Sequence, residues 1–217
     1  MLIIGAKGFA KEVLEVFHQL NQLDNIAFYD DVNVDSEHFL YGLFPILKNE
    51  NEVKDFFNKY GNDFTIGIGN PQLRYVLMKK FISIGGNMVS SISNKAIIGS
   101  YGVKIGNGCN VLDNAIFSNG SSVGKGCIIY YNVTLTHDCE VGDFVELSPG
   151  VTLLGSCKIG SFSQIGANAT ILPKIKIGQN VIIGAGAVVT KDIPDNCVAV
   201  GLPSKVIRNL EPINLGL

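Results

Sequence analysis

The 217-residue chain has no tryptophan, three histidines, and charge on only 17% of its residues. A net charge of -2 and an isoelectric point near 5.9 exclude a basic surface for nucleic acid or anionic membrane. No apolar run approaches the ~20 residues that cross a bilayer. The chain enters an apolar strand with no basic stretch before it, so no signal peptide is expected and the expected location is the cytoplasm. None of the five cysteines stands in a CxxC pair, so their spacing does not argue for zinc. Any imidazole chemistry rests on His18, His38 or His137. What the chain has in quantity is hydrophobic residues, at 47%, and 25 glycines.

Those hydrophobic residues are ordered. From Ile105, through Val111, Phe117 and Val123, to Ile183 and Val189, every sixth residue is apolar, fifteen in succession. At this composition the chance of such a series is roughly one in 100,000, or about one in 10,000 after choosing the best phase. Gly106, Gly124, Gly142, Gly160 and Gly178 each follow an apolar anchor and recur every eighteen residues. Six-residue units grouped in threes describe a triangular coil of short parallel strands. The anchors point into the prism, and two residues before each lies a second, mostly small, inward position such as Cys109, Ala115, Ser121 and Cys127. The glycines are expected to relieve crowding at corners with unusual backbone angles. Cys109 and Cys127 stack on successive coils, as do Cys139 and Cys157, at about the 4.8 Å of neighbouring strands. A disulfide or a metal site is conceivable there, but packing as free, small core residues is the expectation.

Ahead of the repeat, residues 1–86 read as a small α/β domain and 87–217 as the coil with a C-terminal cap. Leu2–Ile4 is a buried strand, Gly5-Ala6-Lys7-Gly8 a glycine-rich turn, and Lys11 to Leu20 a helix with one apolar face. This is how a Rossmann-like unit opens, its helix-start N–H groups facing whatever the turn cradles. The next strand, Ile26 to Tyr29, ends in Asp30 and Asp31, at a distance where such folds hold a ribose hydroxyl. Adjacent residues at a strand end tend to face opposite ways, so only one of the pair is expected to matter strongly, with Asp31 the one to test and Asp30 its control. A strand near Phe44–Leu47, a helix over Asn51 to Lys59, a strand Phe64–Ile68 and a helix from Pro71 towards Gly85 complete the unit. The loops at 5–8, 30–31 and 67–70, the last holding Gly69 and Asn70, all leave strand ends and so open on one sheet edge. After Val189 the period breaks, and Val198 to Lys205 is expected to close the coil before an irregular tail, since a bare coil end is a set of unpaired edges.

His18 reads as a surface residue of the first helix and His38 as one of a polar loop. His137 is different: it stands two residues past the anchor Leu135, with Asp138 beside it, at a corner of the coil. Eighteen residues on, the stacked position is Gly155, which has no side chain to block approach. An imidazole beside a carboxylate and a glycine N–H supplies a base, an orienter and an oxyanion donor.

At these residues the chain resembles the sialic acid O-acetyltransferase (NeuD)-type family, which includes PglD-like sugar acetyltransferases. The resemblance rests on Gly5 to Val13, Asp30-Asp31, Ile66 to Asn70, the His137-Asp138 corner with Val141 to Phe144, Pro149-Gly150, Gly155, and Gly201 to Lys205. It implies a Rossmann-like domain followed by a left-handed parallel β-helix of hexapeptide repeats. By the same resemblance the β-helix forms a homotrimer with acetyl-CoA between subunits, and the N-terminal loops hold a sugar nucleotide. His137 would be the base, Asp138 its partner and Gly155 the contact for the thioester oxygen. Ala167, Ala185 and Lys205, with Gly155, would line the coenzyme groove, and no metal is implied. Gly5, Ala6, Gly8, Asp30, Asp31, Gly69 and Asn70 would meet the sugar nucleotide, with Tyr130 and Glu146 near the acceptor. Relatives acting on amino sugars usually have a histidine where this chain has Glu146 and an asparagine where it has Tyr130.

The expected activity is therefore acetyl transfer from acetyl-CoA to the amino group of a UDP-linked 4-amino-4,6-dideoxy sugar, in the synthesis of a bacterial surface glycan. O-acetylation of sialic acid or another free sugar is the alternative within the class. A sugar-nucleotide-binding scaffold without turnover is the alternative outside it. A carbonic-anhydrase-like zinc site would need about three protein ligands, and the repeat contains a single histidine.

Overall fold

The computed structural model describes residues 1–33 and 38–214. The N-terminal unit runs β1 (Leu2–Ile4), α1 (Gly8–Gln19), β2 (Ala27–Tyr29), β3 (Phe39–Leu40), β4 (Phe44–Leu47), α2 (Glu50–Tyr60), β5 (Asp63–Ile66), α3 (Pro71–Ser83) and β6 (Asn87–Met88). Its sheet has the order β3-β4-β2-β1-β5-β6, parallel except for the β3–β4 hairpin. β1 lies centrally, pairing Leu2 with Ala27 on one side and Phe64 on the other, and all three of its residues are buried. That is why it reads as an unbroken apolar run: a parallel strand is covered on both faces. α2 begins at Asn49, whose side chain accepts from the Asn51 and Glu52 N–H groups. α3 begins at Asn70, which accepts from Leu73 N–H, with Pro71 in the first turn.

β3 and β6 have no counterpart in the sequence reading. They are two-residue strands, too short for an alternating pattern to show. Asn87 and Met88 pair with Asp63 and Phe64, so the first sheet continues just past residue 86.

The repeat folds as a left-handed parallel β-helix. After an irregular first coil, a strand recurs every six residues from Lys104–Ile105 to Val188–Val189, each ending on its anchor. Strands eighteen residues apart pair in parallel, as Thr134 with Thr152 and Leu135 with Leu153, giving three flat faces. The first face holds Asn110–Val111, Ile128–Ile129, Glu146–Leu147 and Gln164–Ile165; the second Ile116–Phe117, Thr134–Leu135 and Thr152–Leu153; the third Ser122–Val123, Glu140–Val141 and Lys158–Ile159. Anchors and second inward positions fill one continuous core, including Cys109, Cys127, Cys139 and Cys157. All five cysteines are free, and the Cys139 and Cys157 sulfurs lie 3.7 Å apart.

The corners work differently from the expectation. Left-handed φ falls on every sixth residue from Gly102 to Gly186, three past every anchor from Ile105 to Ile183, whether the residue is glycine, Asn132, Asp138, Phe144 or Lys174. Gly106, Gly124, Gly142, Gly160 and Gly178 are not among them. They are required instead by close stacking of coils: a Cβ on Gly106 would lie 2.6 Å from the carbonyl carbon of Gly124. The cap also differs, because the tail is not irregular where it leaves the coil. Cys197–Gly201 extends the first face in parallel and pairs antiparallel with Ser204–Asn209.

The N-terminal unit packs on the first face. Phe144 and Phe162 stack at 5.4 Å, and Tyr75 of α3 meets both edge-on. Phe9 meets Tyr130 at 5.3 Å, and Gln19 of α1 donates to Asp113. The polar side chains buried beneath α3 and β5 include Arg74, Asn110, Thr65 and Ser91.

Candidate active site

The three strand-end loops do meet. Gly5, Ala6, Gly8, Asp30, Asp31 and Gly69 line one pocket of about 400 Å³ at the carboxyl edge of the sheet. Apolar walls come from Ile68, Leu73 and Leu77, which explains why Leu73 is partly exposed on a helix whose buried stripe is Pro71, Arg74, Met78 and Phe81. A slot with apolar walls and a glycine-rich, N–H-lined end suits a nucleotide. Lys7, also lining it, donates to Asn33 at 2.7 Å. A larger cleft of about 560 Å³ lies between α2 and the β4 edge, among Leu23, Phe44, Phe56 and Tyr60, and contains none of the expected residues.

The two aspartates play unequal parts, though not as expected. Asp30 is buried and its Oδ1 accepts from Val32 N–H, Asn33 N–H and Asn33 Nδ2, so it shapes the loop beyond β2. Asp31 accepts from the Tyr29 hydroxyl at 2.8 Å and pairs with Lys80 at 3.3 Å. Burial pushes the Asp31 carboxyl up, and the Tyr29 and Lys80 contacts outweigh it to hold the group below its ordinary value. Asn70 is spent on capping α3 and does not line this pocket.

Tyr130 and Glu146 lie on the covered first face beside the pocket. A Cβ on Gly69 would stand 3.8 Å from a Glu146 carboxylate oxygen, which Gln164 holds at 3.3 Å. Burial raises the Tyr130 phenol, and Glu12 and Glu146 push it the same way. Burial also raises the Glu12 carboxyl, against a hydrogen bond with Tyr130. Neither Glu12 nor the buried Arg74 was singled out in the sequence. Arg74 carried a signal all the same, since it stands on the 71-74-78-81 stripe of α3.

His137, Asp138 and Gly155 converge on the corner between the second and third faces. His137 Nδ1 lies 2.9 Å from Asp138 Oδ2, and both side chains are about two-thirds exposed, at 67% and 63%. The left-handed φ of +58° at Asp138 is what turns its carboxylate back towards the imidazole. With Nδ1 engaged, Nε2 is the free nitrogen. The ring lies over Gly155, where a Cβ would come within 2.6 Å of Nε2. Ser156 N–H donates to the His137 carbonyl and the Gly155 carbonyl accepts from Lys174, so the coil backbone fixes both partners. Among the described residues Gly155 N–H donates to no backbone carbonyl, which leaves it available as a donor. His18 and His38 are exposed and far from this corner in the fold.

One chain does not unite these parts. The pocket, Tyr130 and Glu146 belong to the first face; His137 stands on the edge opposite it, between the other two faces. Ala167 and Ala185 stand on a third place, the corner leading from the first face to the second, and Lys205 in the closing hairpin.

Residues 1–89 match the PglD N-terminal domain, and residues 156–191 match the bacterial transferase hexapeptide repeat. The acetyltransferase domain of PglB from Neisseria gonorrhoeae superposes with a TM-score of 0.85 at 31% identity, over 95% of this chain and 98% of that one. The chain belongs to the PglD/NeuD-like family of sugar acetyltransferases. Other structures of this kind are PerB from Caulobacter crescentus in complex with CoA and GDP-perosamine (TM-score 0.87, 28% identity, 95% and 96% of the two chains) and WeeI from Acinetobacter baumannii (TM-score 0.85, 29% identity, 95% and 98%). No curated protein matches the sequence. Among the described residues of this PglD/NeuD-like chain no helix is long and apolar enough to cross a membrane.

Proposed function

We propose that the protein transfers the acetyl group of acetyl-CoA to the amino group of a 4-amino-4,6-dideoxy sugar carried on a nucleoside diphosphate, UDP by preference. The observation that carries this reading is the His137–Asp138 pair, with Nδ1 engaged at 2.9 Å and Nε2 presented over Gly155. PerB, crystallised with CoA and GDP-perosamine, supports an amino sugar on a nucleotide as acceptor.

Asp138 holds the imidazole with Nε2 unprotonated and facing outward. Nε2 accepts a proton from the acceptor amine as its nitrogen attacks the acetyl carbon. The Gly155 N–H donates to the oxygen on which charge develops. Collapse breaks the carbon–sulfur bond, the imidazolium returns its proton to the sulfur, and CoA leaves as a thiol. The amide nitrogen keeps one hydrogen, and no covalent enzyme intermediate is required.

The pocket and His137 lie on opposite sides of one prism, so the reading includes a homotrimer in which one subunit's pocket faces another's His137. The composition of the faces supports it. Outward positions of the second face are Ile116, Thr134, Thr152, Thr170 and Val188, all uncharged, whereas the third face presents Glu140, Lys158 and Lys176. A charge-free face is what a subunit contact needs. Ala167 and Ala185, on the corner bordering that face, would line the coenzyme groove with Gly155 and Lys205. We place the enzyme in the cytoplasm, in the synthesis of a surface-glycan precursor.

The test is thiol release from acetyl-CoA with a panel of UDP- and GDP-linked 4-amino sugars and free sialic acid. Turnover with a sugar nucleotide supports the reading. Turnover with sialic acid alone replaces it with O-acetylation of a free sugar, and binding without turnover makes the protein a scaffold.

A further inference from the structure

Among the described residues Arg74 is the largest fully buried side chain, at 1% exposure, and no carboxylate is hydrogen-bonded to it. Its guanidinium is instead shared among main-chain carbonyls of two domains. Nη1 donates to Gly69 in the pocket wall; Nε donates to Gly126 at 3.0 Å, and Nη2 to Phe144 at 2.7 Å and Val145 at 3.2 Å. The last two carbonyls immediately precede Glu146. A second buried polar side chain acts on the same wall from the β-helix side. Asn110 donates through Nδ2 to the Ile66 carbonyl at 2.8 Å, while its Oδ1 accepts from Thr65 and Ser91 hydroxyls at 3.0 and 2.6 Å.

Burying a cation costs stability, and here burial pulls the guanidinium down to about 10 even though the charge of nearby Glu146 works the other way. An apolar contact between the domains would bury area without that cost, but it would not define a register. Directional bonds to fixed carbonyls do. The segment from Ile66 to Gly69, whose last three residues wall the pocket, is thus tied at both ends to the β-helix.

We propose that Arg74 and Asn110 are positioning residues that hold the 66–69 wall of the pocket in register with the strand bearing Glu146, so that an acceptor anchored in the pocket is delivered at a fixed height along the prism. The delivery part of this proposal rests on the nucleotide reading above; the register itself does not.

Arg74→Lys keeps the charge, but one ammonium cannot span carbonyls on both domains. Asn110→Ser replaces the amide with a hydroxyl that is too short to reach the Ile66 carbonyl. Amide hydrogen exchange on the full-length protein should show residues 66–69 and 144–147 exchanging at least about tenfold faster in each variant, with residues 152–171 unchanged. In steady-state kinetics with UDP-4-amino-4,6-dideoxyglucose or GDP-perosamine, whichever the parent turns over, KM for the sugar nucleotide should rise about tenfold. KM for acetyl-CoA should stay put. A merely structural role would instead speed exchange throughout and lower the active fraction, with both KM values unchanged. Parental exchange at 66–69 in both variants overturns the proposal. If the parent turns over neither sugar nucleotide, the nucleotide reading fails, and hydrogen exchange still decides whether these residues set the register.

Discussion

The imidazole of His137 covers Gly155 so closely that a Cβ there would fall 2.6 Å from both Cε1 and Nε2. The same contact leaves no room for a side chain at residue 155 unless the ring moves away. Gly155 has no left-handed φ, so alanine fits its backbone, and the atom it would strike is the movable end of an exposed ring.

Gly155→Ala should therefore leave the melting temperature within about 2 °C of the parent, because an exposed side chain can swing away at little cost. Displacing the base should still lower kcat about 10²-fold, a misplacement effect of the usual size. Thermal melting and acetyl-CoA turnover check both parts. Gly155→Val should remove turnover while sparing sugar-nucleotide binding. Full activity in the valine variant would move the coenzyme groove to another edge of the prism.

His137→Asn should lower kcat about 10²–10⁴-fold, the worth of a general base. Its side chain is 67% exposed, so folding should be indifferent. Asp138 allows a finer separation. Asn tolerates the +58° φ at this corner, and alanine pays about 1 kcal/mol for it. Asp138→Asn should thus melt like the parent but lose the carboxylate that fixes the Nε2 tautomer, while Asp138→Ala should lose both. Equal kcat in Asp138→Asn and the parent would remove the orienting role.

Much of this corner was legible because a period of six leaves so few choices. Once Leu135 and Leu153 are anchors, His137 and Gly155 must stack, and the register Leu135 to Leu153 is the one observed. The left-handed corner was less legible, since Phe144, Phe162 and Lys174 adopt it against their own preference under the constraint of stacked coils. The glycines after the third-face anchors do relieve crowding, as expected, but without unusual backbone angles: close approach of coils leaves no mark in φ. Arg74 was hidden because an arginine on a helix reads as solvated, and its partners are carbonyls, which every residue carries. Asp30 and Asp31 read alike as letters, and only the loop geometry distinguishes them.

That difference can be measured. Asp31→Ala should weaken UDP or GDP binding about ten- to a hundredfold, the value of a hydrogen bond to a charged acceptor, without affecting acetyl-CoA binding. Asp30→Ala should weaken nucleotide binding as well, because three donors lose their acceptor, whereas Asp30→Asn keeps Oδ1 and should bind within about threefold of the parent. Because the folded Asp31 carboxyl lies below its ordinary value, its ion pair with Lys80 contributes fully above about pH 4 and is lost as pH falls further through the folded pKa. Titration calorimetry should accordingly show no loss of affinity from this group between about pH 8 and pH 5. If neither nucleotide binds, or Asp31→Ala binds both as the parent does, the pocket is not a nucleotide site.

The separation of pocket and base on one prism allows a test of assembly that no single variant provides. His137→Asn chains keep an intact pocket, and Asp31→Ala chains keep an intact base. Each should be nearly inactive alone at sugar-nucleotide concentrations well below the KM of the Asp31→Ala form. If each site joins the pocket of one subunit to His137 of the next, unfolding the two together, refolding and assaying should regenerate sites with both parts intact. Random assembly of a cyclic trimer from equal amounts places an intact pocket against an intact base at about one site in four, so roughly a quarter of parental activity should return. Mixing folded proteins without unfolding should return far less, because subunits must exchange. A site built within one chain would give no recovery at all by either route: every chain would carry its own defect, whatever its neighbours supplied.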